Sequence, residues 1–147
     1  MKKYTLALFA LALFSTAFAG SGKAIIAHAN ANDTTGSTTV YYISNITGHD
    51  LEVTVTFYDQ NGNVTTSGVS YSNFITGNTE IAAGKTGIVT FAPTTWLYGY
   101  AVIEWNNTGT DDDVLGLISQ GFSQKRDVTT GQIYARFGVP INSGEAF

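Results

Sequence analysis

The chain has no cysteine, two prolines and few charges, with seven Lys/Arg and eleven Asp/Glu in 147 residues. Without cysteine there is no disulfide, no thiol nucleophile and no thiolate metal site. Stability must then come from the core, from bound ions or from assembly. The shortage of cations argues against a second class. Two of the seven, Lys2 and Lys3, stand at the extreme N terminus, leaving five against eleven acids over residues 20–147, a net charge of −6. So few cations neutralise few phosphates, which disfavours nucleic acid and anionic membrane surfaces as partners. Segments of helical period are also missing.

Catalytic equipment is sparse as well. There is no Gly-x-Ser-x-Gly elbow, no His-Glu-x-x-His and no phosphate-cradling glycine loop. The two histidines are His28, in a strand-like segment, and His49, in a turn beside Gly48 and Asp50. Glu52 and Glu104 are the acids inside strand patterns, at positions that alternation turns to solvent. The expectation is that the chain is not an enzyme.

What is present begins with an address. Lys2-Lys3 precede an apolar run from Tyr4 to Phe14, and Ala17-Phe18-Ala19 forms a small-x-small site. This is the layout of a secretory signal peptide over residues 1–19. The run is too short to span a bilayer of roughly 30 Å, and no second one follows. The expectation is a secreted protein, periplasmic or extracellular, with one domain over residues 20–147 and no membrane span.

The rest of the chain alternates with period two. Leu51, Val53, Val55 and Phe57 share one face while Glu52, Thr54, Thr56 and Tyr58 share the other. That is a half-buried antiparallel strand, and the following Asn61-Gly62 is a tight-turn pair. Further strands are expected over 23–29, 38–46, 64–71, 87–91, 98–105, 114–120 and 132–139. Turns rich in Gly, Asn and Asp separate them. Seven to eight short strands imply an all-β, antiparallel β-sandwich with a jelly-roll-like layout. Core positions are expected at Val40, Tyr42, Leu51, Val53, Val55, Phe57, Val102, Ile118, Ile133 and Phe137, or at their alternating neighbours. Residues 30–37 read as a polar loop or mobile arm.

Val40-Tyr41-Tyr42-Ile43-Ser44-Asn45, the Gly48-His49-Asp50 turn, Val53 to Asp59, Ile81 to Thr86, Ala101-Val102-Ile103-Glu104 and Leu117-Ile118-Ser119-Gln120 follow a familiar order. It resembles small bacterial β-sandwich proteins of the sensory-rhodopsin-transducer type. The resemblance lies in strand layout and covers about two thirds of the chain. It implies the fold and an oligomeric, non-catalytic role. Those proteins are cytoplasmic whereas this chain has a leader and an acidic 106–113 segment, so no signalling role and no site residue carries over.

Two clusters stand out for binding. Trp96, Tyr98 and Tyr100, with Trp105 shortly after, offer rings that stack on sugars if exposed, while buried rings would serve the core. Asp111 and Asp113, in a loop rich in Asn and Gly, have the oxygen chemistry of a calcium site, although the EF-hand spacing is absent. No cofactor is required; calcium is an optional ion.

Two functions follow, from different classes. The first, slightly preferred, is a structural or interaction subunit that forms homo-oligomers through strand edges, with Ala24-Ile25-Ile26-Ala27 as an exchangeable arm and Phe147 as a second apolar docking point. The second is an extracellular carbohydrate-binding module, optionally calcium-assisted. The direction in which the aromatic rings point discriminates between them.

Overall fold

The computed structural model describes residues 20–109 and 111–147. The leader expected over residues 1–19 lies outside the described residues. Ten strands form among the described residues: β1 (Ser21–Ala31), β2 (Ser37–Asn45), β3 (Leu51–Asp59), β4 (Val64–Thr65), β5 (Val69–Ser72), β6 (Glu80–Ile81), β7 (Thr86–Phe91), β8 (Leu97–Asn107), β9 (Leu117–Arg126) and β10 (Ile133–Val139). Two antiparallel sheets pack face to face as a β-sandwich. Sheet A runs β1-β8-β3-β4, with β6 also on β3, and sheet B runs β10-β9-β2-β7-β5. No helix among the described residues is long and apolar enough to cross a membrane.

Alternation places the core. Leu51, Val53, Val55 and Phe57 point inward from β3, as expected, and Ala101, Ile103 and Trp105 do so from β8. Phe57 stacks on Phe91 at 4.8 Å and on Tyr41 at 5.9 Å, joining the two sheets. The segment after β10 returns across the end of the sandwich and inserts Ile141 and Phe147 into the core. The Phe147 main-chain oxygen accepts from Trp105 Nε1 at 2.7 Å and from the amides of Gly116 and Leu117, each at 3.0 Å. Phe147 therefore docks within its own domain.

Several expectations change. Tyr41 and Ile43 face inward while Tyr42 faces outward, because β2 is apolar on both faces and its neighbours choose the side. Burial pushes the Tyr41 hydroxyl far above the usual phenol value, and it donates to the carbonyl of His28. The 64–71 segment breaks at Thr66–Gly68 and crosses from sheet A to sheet B. Gly68 makes the crossing at φ +68, where a Cβ would lie 2.2 Å from the Pro93 nitrogen. Of residues 30–37 only the centre is a loop: β1 runs to Ala31, a 3-10 turn at Asp33–Thr35 reverses the chain, and β2 starts at Ser37. Arg126 Nη2 holds Asp33 at 2.7 Å, and Lys125 donates to the Thr35 carbonyl. Ile133 and Phe137 lie in β10 but outside the core.

Candidate functional site

Sheet A presents an aromatic strip on its outer face. β8 is central there, flanked by β1 and β3, so its even-numbered residues run down the middle of that face. At one end Glu104 is bridged to Lys23 at 3.0 Å. Val102 follows between Ile25 and Thr56, then Tyr100 beside Tyr58, then Tyr98 beside Asn30. Trp96 stands in the loop just before β8. Trp96 is 51% exposed, Tyr98 52% and Tyr100 37%.

Local chemistry explains the strip. Tyr58 and Tyr100 are cross-strand partners whose rings stack at 4.6 Å and 8°, an arrangement that holds both upright from the sheet. Gly99 allows the close approach, since a Cβ there would meet the Tyr58 carbonyl at 2.0 Å. The Asn30 side-chain oxygen is buried and has no hydrogen-bond partner among the described residues, unusual for a buried amide. Asp59, at the end of β3, accepts the amides of Asn61 and Asn63. The Asn63 amide leads the bonds that hold its carboxyl below the usual range. The strip thus ends in a fixed turn rich in amides.

Trp105 has the opposite fate. It is 1% exposed and belongs to the core. The sequence clusters Trp96, Tyr98, Tyr100 and Trp105, but the fold sets Tyr98 and Tyr100 on the outer face of sheet A and leaves Trp96 exposed in the loop before β8. Tyr58 and Asn30 join them and were not expected there. For Tyr58 the signal was available, since it ends the outward half of the alternating 51–58 segment.

Asp111 and Asp113 are arranged differently. Asp111 Oδ1 lies 3.4 Å from His49 Nδ1. The Asp113 main-chain oxygen accepts from Asn107 Nδ2 at 3.3 Å, and the Asp113 Oδ2 is buried without a hydrogen-bond partner among the described residues. Among the described residues no three His, Asp or Glu side chains group to hold a metal. This end of the sandwich is a mesh of loop contacts: Asn45 Nδ2 donates to the carbonyls of His49 and Ile81, Asp50 accepts from the Ala83 amide, and Thr108 donates to the Asp50 carbonyl.

His28 Nε2 sits 3.1 Å from Ser123 Oγ, which sits 2.6 Å from Thr39 Oγ1. Thr39 spends its single hydrogen on the Asn30 carbonyl. Ser123 must then donate to Thr39, and His28 Nε2 must donate to Ser123. An imidazole that donates cannot take the proton of that hydroxyl, so the pair lacks the arrangement that activates a nucleophile. Its role here is to tie β1 to β9 and β2 across the gap between the sheets.

A second concave surface lies on the outer face of sheet B. It is a cleft of about 390 Å³ lined by Tyr42, Ser44, Thr86, Ile118, Gln120 and Gly144. Phe122 adjoins Tyr42, and the Arg136 guanidinium lies 4.2 Å from the centre of the Phe122 ring.

No family model matches the chain, and neither a curated protein nor a solved structure matches it.

Proposed function

We propose that the chain is a secreted, non-enzymatic binding module and that neutral extracellular carbohydrate is its ligand, seated on the Trp96–Tyr98–Tyr100–Tyr58 strip. The single observation that supports this reading is the exposure of these rings, with Tyr98, Tyr100 and Tyr58 on one face of sheet A and Trp96 exposed next to β8, where burial would have favoured a purely structural role. Aromatic faces stack on the apolar faces of sugar rings. The phenol hydroxyls and the turn amides beyond Asp59 supply hydrogen bonds to sugar hydroxyls. The one cation on the strip, Lys23, is bridged to Glu104, so the surface suits a neutral glycan better than an anionic one. Calcium is not part of this reading.

Titration with neutral oligosaccharides tests it. Trp105 is buried, so a fluorescence change on binding reports Trp96. Trp96→Ala should abolish the change, and Tyr100→Ala should weaken binding about tenfold, equivalent to roughly 1.4 kcal/mol. A broad glycan array with no hits would remove this reading.

Assembly into homo-oligomers is the second reading, favoured by a separate observation: both sheets end in long open strands, β1 and β10. In the single chain residues 21–31 pair with β8 of their own domain, and exchange of that strand between copies would keep the same pairing. A size measurement at high micromolar concentration tests assembly, and a strictly monomeric protein would end it.

A further inference from the structure

At the end of the sandwich where β1 begins, two buried acceptors meet no donor among the described residues. Asn107, the last residue of β8, is 7% exposed. Its Nδ2 donates to the Asp113 main-chain oxygen at 3.3 Å, which turns the amide toward Asp113. The other amide atom, Asn107 Oδ1, is left without a partner, and so is Asp113 Oδ2. The ion pairs among the described residues are Lys23–Glu104, His49–Asp111 and Arg126–Asp33, and none of them reaches Asp113. An acceptor shut off from water calls for a donor, and a carboxylate oxygen calls for a cation.

Gly20 stands against both residues. Its carbonyl accepts from the Asn107 amide at 2.9 Å, one step beyond the Ser21–Asn106 pair that opens β1. A Cβ on Gly20 would lie 1.6 Å from the Asp113 main-chain oxygen, closer than any such contact at the other glycines, and 3.0 Å from Asn107 Nδ2. Only a residue without a side chain lets the main chain come so near. Bond lengths then keep the Gly20 nitrogen within roughly 5 Å of the Asp113 main-chain oxygen.

We infer that Asn107 and Asp113 form a pocket for an ammonium group, and that the group is the chain's own N terminus, freed at Gly20 when residues 1–19 are removed. The inference rests on the proposed secretion and its leader. Cleavage after Ala19 turns the Gly20 nitrogen from a neutral amide into an ammonium with three hydrogens and a positive charge. Two orphaned acceptors, one of them on a carboxylate, match that group in number and in sign. A hard divalent cation fits less well. It takes about six to eight oxygens, and no three His, Asp or Glu side chains group to hold one among the described residues. A water would meet the two acceptors but would leave the carboxylate without a counter-charge. The uncleaved chain has an amide at this place, with one hydrogen and no charge, so it leaves the carboxylate unpaired. Leader removal thus completes this end of the fold and ties the start of β1 to the segment between β8 and β9.

Thermal melts of two chains are the first test, one starting at Gly20 and one that keeps Ser15 to Ala19, each with and without Asp113→Asn. The Gly20 start should melt roughly 5 °C higher, and Asp113→Asn should remove the difference. Equal melting temperatures for the two starts, or a difference that Asp113→Asn leaves intact, overturn the pocket. A second measurement is one that packing alone would not move. A paired ammonium is a poor nucleophile, because only the neutral amine attacks an acylating reagent. The Gly20 amine of the folded protein should therefore be acylated at least about tenfold more slowly than that of its Asp113→Asn variant, read by mass spectrometry of the N-terminal peptide. Equal rates overturn the pocket. Millimolar calcium that raises the melting temperature of the Gly20 start, and fails to do so with Asp113→Asn, overturns the ammonium as the occupant. The intact mass of the exported protein tests the leader separately. A mature chain that does not start at Gly20 overturns the maturation step, while the two starts still decide the pocket.

Discussion

β1 and β10 are both outermost strands, yet they live in different surroundings. Ala24, Ile26, Ala29 and Ala31 of β1 are buried, whereas Val139 alone is buried in β10. Edge position is common to both, so it does not explain the contrast. What lies across the gap does. β1 packs on β2 and β9 of the opposite sheet, while β10 extends past the last strand of sheet A. Strand pairing satisfies main-chain groups, but apolar side chains are covered only by a second layer.

The comparison breaks most sharply by truncation. Ile26→Ala should lower unfolding stability by about 2–5 kcal/mol, the cost of a cavity at a fully buried site. Phe137→Ala should stay within about 1 kcal/mol in the same urea titration, although it removes the larger side chain. Both are read at concentrations where the chain is monomeric, and equal losses there would mean that Phe137 is covered within its own domain.

Glycines sharpen it further. A Cβ at Gly22 of β1 would lie 2.2 Å from Trp105 Nε1 and 2.9 Å from the Phe147 carbonyl carbon. Gly22→Ala should therefore cost about 1–3 kcal/mol by overpacking. Gly138→Ala on β10 meets open space and should be neutral, or stabilising by about 0.4–1 kcal/mol through the unfolded chain. Thermal melts of the two variants should move in opposite directions or differ by several degrees.

The smallest effect is in pH response. The Tyr134 hydroxyl, followed by the amides of Thr130 and Thr129, holds the Asp127 carboxyl down at about 2. A depressed carboxyl stabilises the fold above its ordinary value near 3.8 and loses that contribution as pH falls through about 2. The hairpin leading into β10 should loosen over that acid window, seen as faster amide exchange at Thr129 and Thr130. On β1 the Glu104 carboxylate raises the Lys23 ammonium above its ordinary 10.5. That contribution is complete below the ordinary value and is lost as pH rises through the raised one, so the β1 edge should loosen in strong alkali. Both groups are exposed, and salt should shrink both responses.

Much of the fold was legible. The 51–58 alternation gave β3 its inner and outer faces, and Asn61-Gly62 marked the turn after it. The site was legible in part. Trp96, Tyr98 and Tyr100 stood out, but the residue types alone did not separate them from Trp105, which ends in the core. Along β8 the odd-numbered Ala101, Ile103 and Trp105 face the second sheet, so parity relative to that sheet decided the matter. Asn30 could not be found at all, because only the β1–β8 register sets it beside Tyr98.

By itself, then, the sequence determined strand chemistry: where the chain alternates, where it turns, and that no disulfide holds it. Period and turn preference are local and travel with the residues. The tertiary structure decided which apolar residues are inside. Tyr41 against Tyr42, Trp105 against Trp96 and Ile26 against Phe137 are pairs of similar hydrophobicity, separated only by whether another layer covers them. Burial depends on what the rest of the chain places opposite a residue, and the residue's own neighbourhood in sequence does not carry that information.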